Sequence, residues 1–429
     1  METSELYKIY LSHPDVTTDT RLCKPGSVFF ALKGEKFNGN KFIPDALAAG
    51  AAYAVADEPV GIKDSRVIYV DDVLQALQSL ARHHRRAMNV PVLAITGTNG
   101  KTTTKELTAT ALSKRYNVLA TEGNLNNHIG VPLTLLKLNA SHGLAVIEMG
   151  ASHPGDIKEL TDIAEPDFGL ITNVGKAHLQ GFGSFEGVIK TKCELYGYIR
   201  EHGGKIFIRH EDEWLQPMSC GMEKIEYGTA SGLYISGSVE SSSPFLSVAV
   251  AKGDGGTAEI ATRLIGGYNL YNVLAAVTIA SYFNVPLADI AAAISAYTPN
   301  NSRSQLIKGE RNDVILDAYN ANPSSMKAAV ENFAEMDVPA KMLILGDMLE
   351  LGGDSRSEHE KIIEMLHGYG LNNVLLLGAE FSACADKVFR TFLNADDLMA
   401  YLSENSPEGY TVLIKGSRGM KLERCLPLL

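Results

Sequence analysis

Apolar runs of strand length alternate with helical patterns along most of the chain, and one run leads straight into a glycine-rich turn. Pro91 to Ile95 is rich in β-formers and predicts a buried strand. Gly97 and Gly100 break the pattern, and Lys101 to Leu112 continues with residues that suit a helix. Upstream, Ser27 to Leu32 predicts a strand ending at Lys33-Gly34, Phe42 to Ala52 carries an Ala-rich helical period, Val67 to Val70 predicts another strand, and Val73 to Met88 a helix. Downstream, Leu144 to Glu148 and Gly169 to Asn173 are further strand candidates with polar tails. Gly253 to Gly256 predicts a hairpin turn between antiparallel strands, and Tyr271 to Phe283 an apolar helix. Thr298-Pro299-Asn300-Asn301-Ser302 reads as a linker. Beyond it, Val314–Leu316, Met342–Leu345, Val374–Leu377 and Val412–Ile414 recur with helical patterns between them.

This alternation predicts an α/β protein of three domains. They are a small α/β N-terminal domain (1–88), a central P-loop parallel-sheet domain (89–298) and a Rossmann-like C-terminal domain (299–429). A chain of 429 residues has ample length for such cores. Its net charge of −11 argues against nucleic acid or a membrane surface as partner, since either calls for a basic face. Five scattered cysteines without a CxxC pair fit a reducing compartment. The acidic start, Met1-Glu2-Thr3-Ser4-Glu5, lacks an apolar core, so no signal peptide is expected. No apolar run reaches spanning length, and the expected location is the cytoplasm.

Strand, glycine turn and helix in that order make a phosphate cradle. Backbone N–H groups of the turn and of the helix N-terminus converge on one anion, and the helix dipole adds to the attraction. In Thr96-Gly97-Thr98-Asn99-Gly100-Lys101-Thr102-Thr103, Lys101 supplies a mobile cation and the Thr102 hydroxyl can ligate Mg²⁺. The first glycine of the strict Walker pattern is replaced by Ile95, so the match is to a variant. This is a nucleoside triphosphate site. Glu148, at a strand tip, is a second candidate ligand or simply a solvated end. Taken singly, His178 reads as structural and Lys192 as a surface lysine. The basic run Arg82 to Arg86 reads as a solvated helix end that complements the dipole, rather than an anion site. His359, in Ser357-Glu358-His359, is a site candidate, set against a plain helix histidine.

Taken together the motifs resemble the Mur ligases, the ATP-dependent amide-forming enzymes of peptidoglycan synthesis. They are the T-G-T-N-G-K-T-T loop, Asn124-Leu125-Asn126-Asn127-His128-Ile129-Gly130, Glu148-Met149-Gly150, Asn173-Val174-Gly175-Lys176-Ala177-His178-Leu179 and Thr191-Lys192-Cys193-Glu194. The third domain adds Asp317-Ala318-Tyr319-Asn320-Ala321-Asn322-Pro323-Ser324-Ser325-Met326, Leu345-Gly346-Asp347-Met348-Leu349-Glu350-Leu351-Gly352 and Lys415-Gly416-Ser417-Arg418. The first two of these look like the branch that adds D-alanyl-D-alanine to a UDP-muramoyl tripeptide. Those two substrates are the implied partners of a chain expected to act as a monomer.

The resemblance also implies roles. Gly97, Thr98, Asn99, Gly100, Lys101, Thr102 and Thr103 would cradle ATP, with Asn269 and Asn272 near the adenine and Arg303 and Asp317 reaching the phosphates and ribose. Thr102 and Glu148 would bind one Mg²⁺; Glu148, His178 and a carbamylated Lys192 would bind a second. Lys101, Lys192 and His178 would be the catalytic set. Thr20, Arg21, Lys33 and Gly34 would meet the UDP end, and Asn126, Tyr319, Asn320 and Asn322 the peptide substrates. The chain has Gly267-Tyr268 where the family often has Arg-His, and Asp19-Thr20-Arg21 where it has D-S-R. Two other classes are a folylpolyglutamate- or cyanophycin-type ligase and a non-catalytic nucleotide-binding regulator. The near-90-residue first domain and Y-N-A-N-P speak against the first, and the intact Lys101, Glu148, His178 and Lys192 against the second.

Overall fold

The computed structural model of the protein describes residues 1–300, 303–338 and 340–429. Asn301 and Ser302, part of the expected linker, lie outside the described residues. Three principal sheets follow one another along the chain. The first has four parallel strands in the order Val16–Thr17, Val28–Phe30, Tyr53–Ala56, Val67–Tyr69. The strand expected over Ser27 to Leu32 is thus three residues long. The helix expected over Phe42 to Ala52 is the short Ile43–Ala48, preceded by a 3₁₀ turn at Gly39–Phe42 that the Asn38 side chain caps.

The second sheet has nine strands, with Val92–Thr96 between Phe168–Ile171 and Leu144–Glu148. All of these are parallel, as continuous apolar runs buried on both faces require. Only the outer ribbon, Ile235–Ser241, Ser247–Lys252 and Thr257–Ala261, is antiparallel, and its last turn is the expected Gly253–Gly256 hairpin. Helix Leu270–Tyr282, apolar all round, packs under this sheet with Val273, Leu274 and Val277 buried.

The third sheet has six strands, in the order Gln305–Lys308, Asp313–Asp317, Thr411–Lys415, Lys341–Gly346, Val374–Leu377, Arg390–Phe392. Its four inner strands are the four apolar runs of the sequence. The two edge strands are short and half polar, which leaves no alternation strong enough to mark them.

Helix Val73–Met88 spans its expected residues, and Arg82, His83 and Arg86 of its basic end are exposed as expected, but the rest of that end is not. His84 and Arg85 are buried against the central domain. His84 Nε2 donates to the Leu138 carbonyl (2.8 Å), while Arg85 donates to the carbonyls of Ala164 (3.1 Å) and Glu165 (2.7 Å) and to Asp167 (2.8 Å). Dipole complementarity and domain docking use the same residues here. Among the described residues, no helix is long and apolar enough to cross a membrane.

Candidate active site

Val92–Thr96 delivers the chain to the carboxyl edge of the central sheet, where ligands collect in such folds. The turn that follows depends on two glycines. Gly97 has φ +141° and Gly100 φ +76°, both in the region that side chains resist. A Cβ at Gly97 would run into Thr172 Oγ1, and one at Gly100 into Asn272 Oδ1. Helix Lys101–Leu112 then starts with its free N–H groups facing a cleft of about 980 Å³ between the central and third domains.

Thr98, Asn99, Gly100, Lys101 and Thr103 line this cleft from the turn, Glu148 from a neighbouring strand end, and Asn126 and His178 from the loops that follow neighbouring strands. Asn269, Asn272, Arg303, Asp317, Tyr319, Asn320 and Asn322 complete it, the last five from the third domain. Gly97, Thr102 and Lys192 lie just behind the lining. Thr20, Arg21, Lys33 and Gly34 are not brought to the cleft. Arg21 pairs with Asp19 on the surface of the first domain, and Lys33 bridges Asp57 (3.0 Å) and Glu58 (2.7 Å) there.

The Lys101 ammonium is folded back onto its own turn and donates to the carbonyls of Gly97 (2.7 Å) and Thr98 (3.0 Å). Burial lowers its pKa to about 8, Arg303 adds to the lowering, and Glu148 opposes it. Glu148 is 1% exposed, which excludes the reading of a solvated strand end. Its Oε1 accepts from Asn126 (2.7 Å), but its Oε2 is buried without a partner, as is the Thr102 hydroxyl. Orphaned buried oxygens are costly unless a ligand satisfies them. Two hard oxygen donors left free beside a phosphate turn fit Mg²⁺.

Lys192 is 2% exposed rather than a surface lysine. Burial lowers its pKa to about 7, the Lys101 charge adds to this, and Asp156 and Glu194 oppose it. His178 sits at φ +50° before the short helix Leu179–Phe182, its Nδ1 facing the Glu350 carboxylate of the third domain. Burial depresses its pKa, Glu350 works the other way, and Lys101 and Lys192 lower it further. Lys101 therefore feels Glu148, and its own charge acts on both His178 and Lys192, which ties the four residues to one site.

From the third domain, the Arg303 guanidinium stacks 3.8 Å from the centre of the Tyr319 ring, and Arg418 lies 5.3 Å from the same centre. Asp317 accepts from the Ser304 amide (3.2 Å) and from Lys415 (2.6 Å). Arg418 was missed in the sequence as a cleft residue, although the Lys415-Gly416-Ser417-Arg418 motif flagged its neighbourhood. His359 is not a free base. It is fully buried, its Nδ1 donates to the Ser355 carbonyl (2.7 Å), and its Nε2 accepts from the Met348 amide (3.0 Å).

A phosphate turn facing a second α/β domain across one cleft is the arrangement an ATP-dependent ligase uses to bring nucleotide and acceptor together, and known proteins of that class match the chain. Family models match residues 15–85 (Mur ligase family, catalytic domain), 95–280 (Mur ligase middle domain) and 302–418 (Mur ligase, glutamate ligase domain). The chain belongs to the Mur ligase family. It is 36% identical over 420 residues to the UDP-N-acetylmuramoyl-tripeptide--D-alanyl-D-alanine ligase of Bacillus subtilis, covering 95% of this chain and 91% of that one. To the Escherichia coli enzyme of the same name it is 35% identical over 423 residues, covering 96% and 93%. Among solved structures, MurF of Acinetobacter baumannii superposes with TM-score 0.87 at 29% identity, covering 96% and 92% of the two chains. MurF of Thermotoga maritima in complex with ADP superposes with TM-score 0.86 at 26% identity, covering 97% of each.

Proposed function

We propose that this chain joins D-alanyl-D-alanine to UDP-N-acetylmuramoyl-tripeptide at the expense of ATP, releasing ADP and phosphate. The observation that carries the reading is the cleft itself. The phosphate turn with Lys101, Glu148 with its unpartnered oxygen, and Arg303 and Asp317 of the third domain all face one space, and the unpartnered Thr102 hydroxyl lies buried directly behind the turn.

In this reading the terminal carboxylate of the tripeptide attacks the γ-phosphorus of ATP, and the bond to ADP breaks. The backbone N–H groups of the turn and the Lys101 ammonium hold the transferred phosphoryl group, with Arg303 opposite. Asn269 and Asn272 lie on the adenine side and Asp317 at the ribose. The dipeptide amine then attacks the acyl carbon, loses a proton, and phosphate leaves. Thr102 and Glu148 would hold one Mg²⁺, and Glu148, His178 and carbamylated Lys192 a second. These ions would offset charge on the phosphoryl oxygens.

Asn126, Tyr319 and Asn320 are the candidates for the peptide substrates. Residues 1–88, with Thr20, Arg21, Lys33 and Gly34, are assigned the UDP end, 89–298 the nucleotide and 299–429 the dipeptide. A cytoplasmic location fits the five unpaired cysteines.

ADP release measured with both substrates, and with each omitted in turn, tests this. Release should need both, and Lys101→Ala should lower it by about 10³-fold or more without unfolding the protein. Release that ignores the dipeptide, or a Lys101→Ala variant of near-normal rate, overturns it.

A further inference from the structure

The third domain touches the phosphate turn itself at the side chain of Asn99. Asn322 Nδ2 donates to Asn99 Oδ1 (2.8 Å), and Asn99 Nδ2 reaches Ser324 Oγ at 3.4 Å. The two asparagines are 223 residues apart in sequence, so the contact exists only when the third domain is docked on the central one.

Each partner is held firmly from its own side. The Asn99 amide donates to Asn173 Oδ1 (3.0 Å), and its carbonyl accepts from Thr172 Oγ1 (2.7 Å) and Asn173 Nδ2 (3.0 Å). The central sheet thus fixes its backbone and leaves only the side chain to report outward. Asn322 caps helix Pro323–Glu335. Its Oδ1 accepts from the Ser325 amide (2.9 Å) and Ser324 Oγ (3.2 Å), and its own amide donates to Ser325 Oγ (3.1 Å). An asparagine side chain offers one carbonyl oxygen and two N–H donors. The oxygen is committed to the cap and one donor to Asn99, which leaves little with which to read a substrate.

The surroundings reinforce the contact. Ser324 packs on Gly175, where a Cβ would come within 2.9 Å of its hydroxyl. Gly175 in turn donates from its amide to Thr98 Oγ1 (3.0 Å) and accepts from it through its carbonyl (3.3 Å). Other polar contacts between the two domains, among them Lys176 with Glu358 (3.0 Å), His178 with Glu350, the Gln180 amide with the Glu350 carbonyl (3.3 Å) and Tyr268 with Ser304 (2.9 Å), do not touch the turn.

We propose that Asn322 is a positioning residue of the phosphoryl-transfer site: its amide straps the phosphate turn at Asn99 to the third domain, rather than binding the dipeptide. The turn then takes up its transfer geometry when the domain that delivers the amine is docked. That ties formation of the acyl phosphate to the presence of the domain that consumes it, and keeps water from the intermediate. The kinetic half of this proposal rests on the ligase reading; the structural half does not.

Asn322→Ser separates cap from strap, because serine caps a helix well but is too short to reach Asn99. Asn322→Ala loses both. The strap predicts that both variants lose kcat alike, by about tenfold, with the KM for D-alanyl-D-alanine within about twofold of wild type. Only the alanine variant should melt earlier. The double variant Asn99→Ala with Asn322→Ser should be no slower than Asn99→Ala alone. A raised dipeptide KM at unchanged kcat, losses that multiply in the double variant, or unchanged kinetics would each overturn the strap. Small-angle scattering with a non-hydrolysable ATP analogue reads the same point without turnover. Wild type should be the more compact, and a profile identical to that of Asn322→Ser would overturn the proposal even if the protein ligated nothing.

Discussion

An amine at 2% exposure, with a second lysine close enough to repel its proton, is a poor place for a cation, and Lys192 has its pKa lowered to about 7 as a result. A substantial fraction is therefore the free base at neutral pH, the form that adds CO₂. The resulting carbamate would replace a charge that repels Mg²⁺ with one that attracts it. Lys192→Ala should be nearly inactive in ADP release and recover part of its rate when acetate or propionate is supplied. Full activity without them would discard the carbamate. Residue type alone could not single out Lys192, since a lysine on an amphipathic helix is usually solvated and burial is set by what packs over it. Lys101 was legible for the opposite reason: the spacing Gly-Lys-Thr after a strand encodes its mechanism locally. Glu148 stands between the two, placed by a strand end that the pattern shows but buried by neighbours it does not.

At the scale of elements, the strong apolar period of helix Val73–Met88 shows its span in the sequence, and the structure adds the cap that starts it, Asp72 accepting from the Gln75 amide (2.8 Å). Its destination was not legible. The groups that bury its basic end, the carbonyls of Leu138 and Ala164, are 54 and 79 residues away from His84 and Arg85. His84 gives this docking a pH dependence. Burial depresses its pKa, the Leu138 hydrogen bond opposes that, and His83 adds to it. The folded state thus favours neutral His84, and its stabilising share is complete above the unfolded value of about 6.5 and lost as pH falls below it. Melting temperature measured from about pH 7.5 down to about 5.5 should fall more steeply in wild type than in His84→Gln. Parallel slopes would contradict the assignment.

For the whole molecule, the order of strand and helix signals was enough to specify three α/β units and the inner strands of the third sheet. The edge strands Gln305–Lys308 and Arg390–Phe392 escaped notice, and so did the docking of one unit on another. Such docking depends on surface pairs such as Asn99 with Asn322, which leave no periodic trace. Thr20, Arg21, Lys33 and Gly34 lie apart from the cleft, so their proposed role at the UDP end requires a substrate long enough to span two domains. The account stands on that cleft making one particular bond. Mass analysis of the product after incubation with UDP-N-acetylmuramoyl-tripeptide, D-alanyl-D-alanine and Mg-ATP tests it most directly. A ligase of this kind gives a single new species equal to tripeptide plus dipeptide less one water, formed in step with ADP. ADP accumulating with the tripeptide mass unchanged would contradict it.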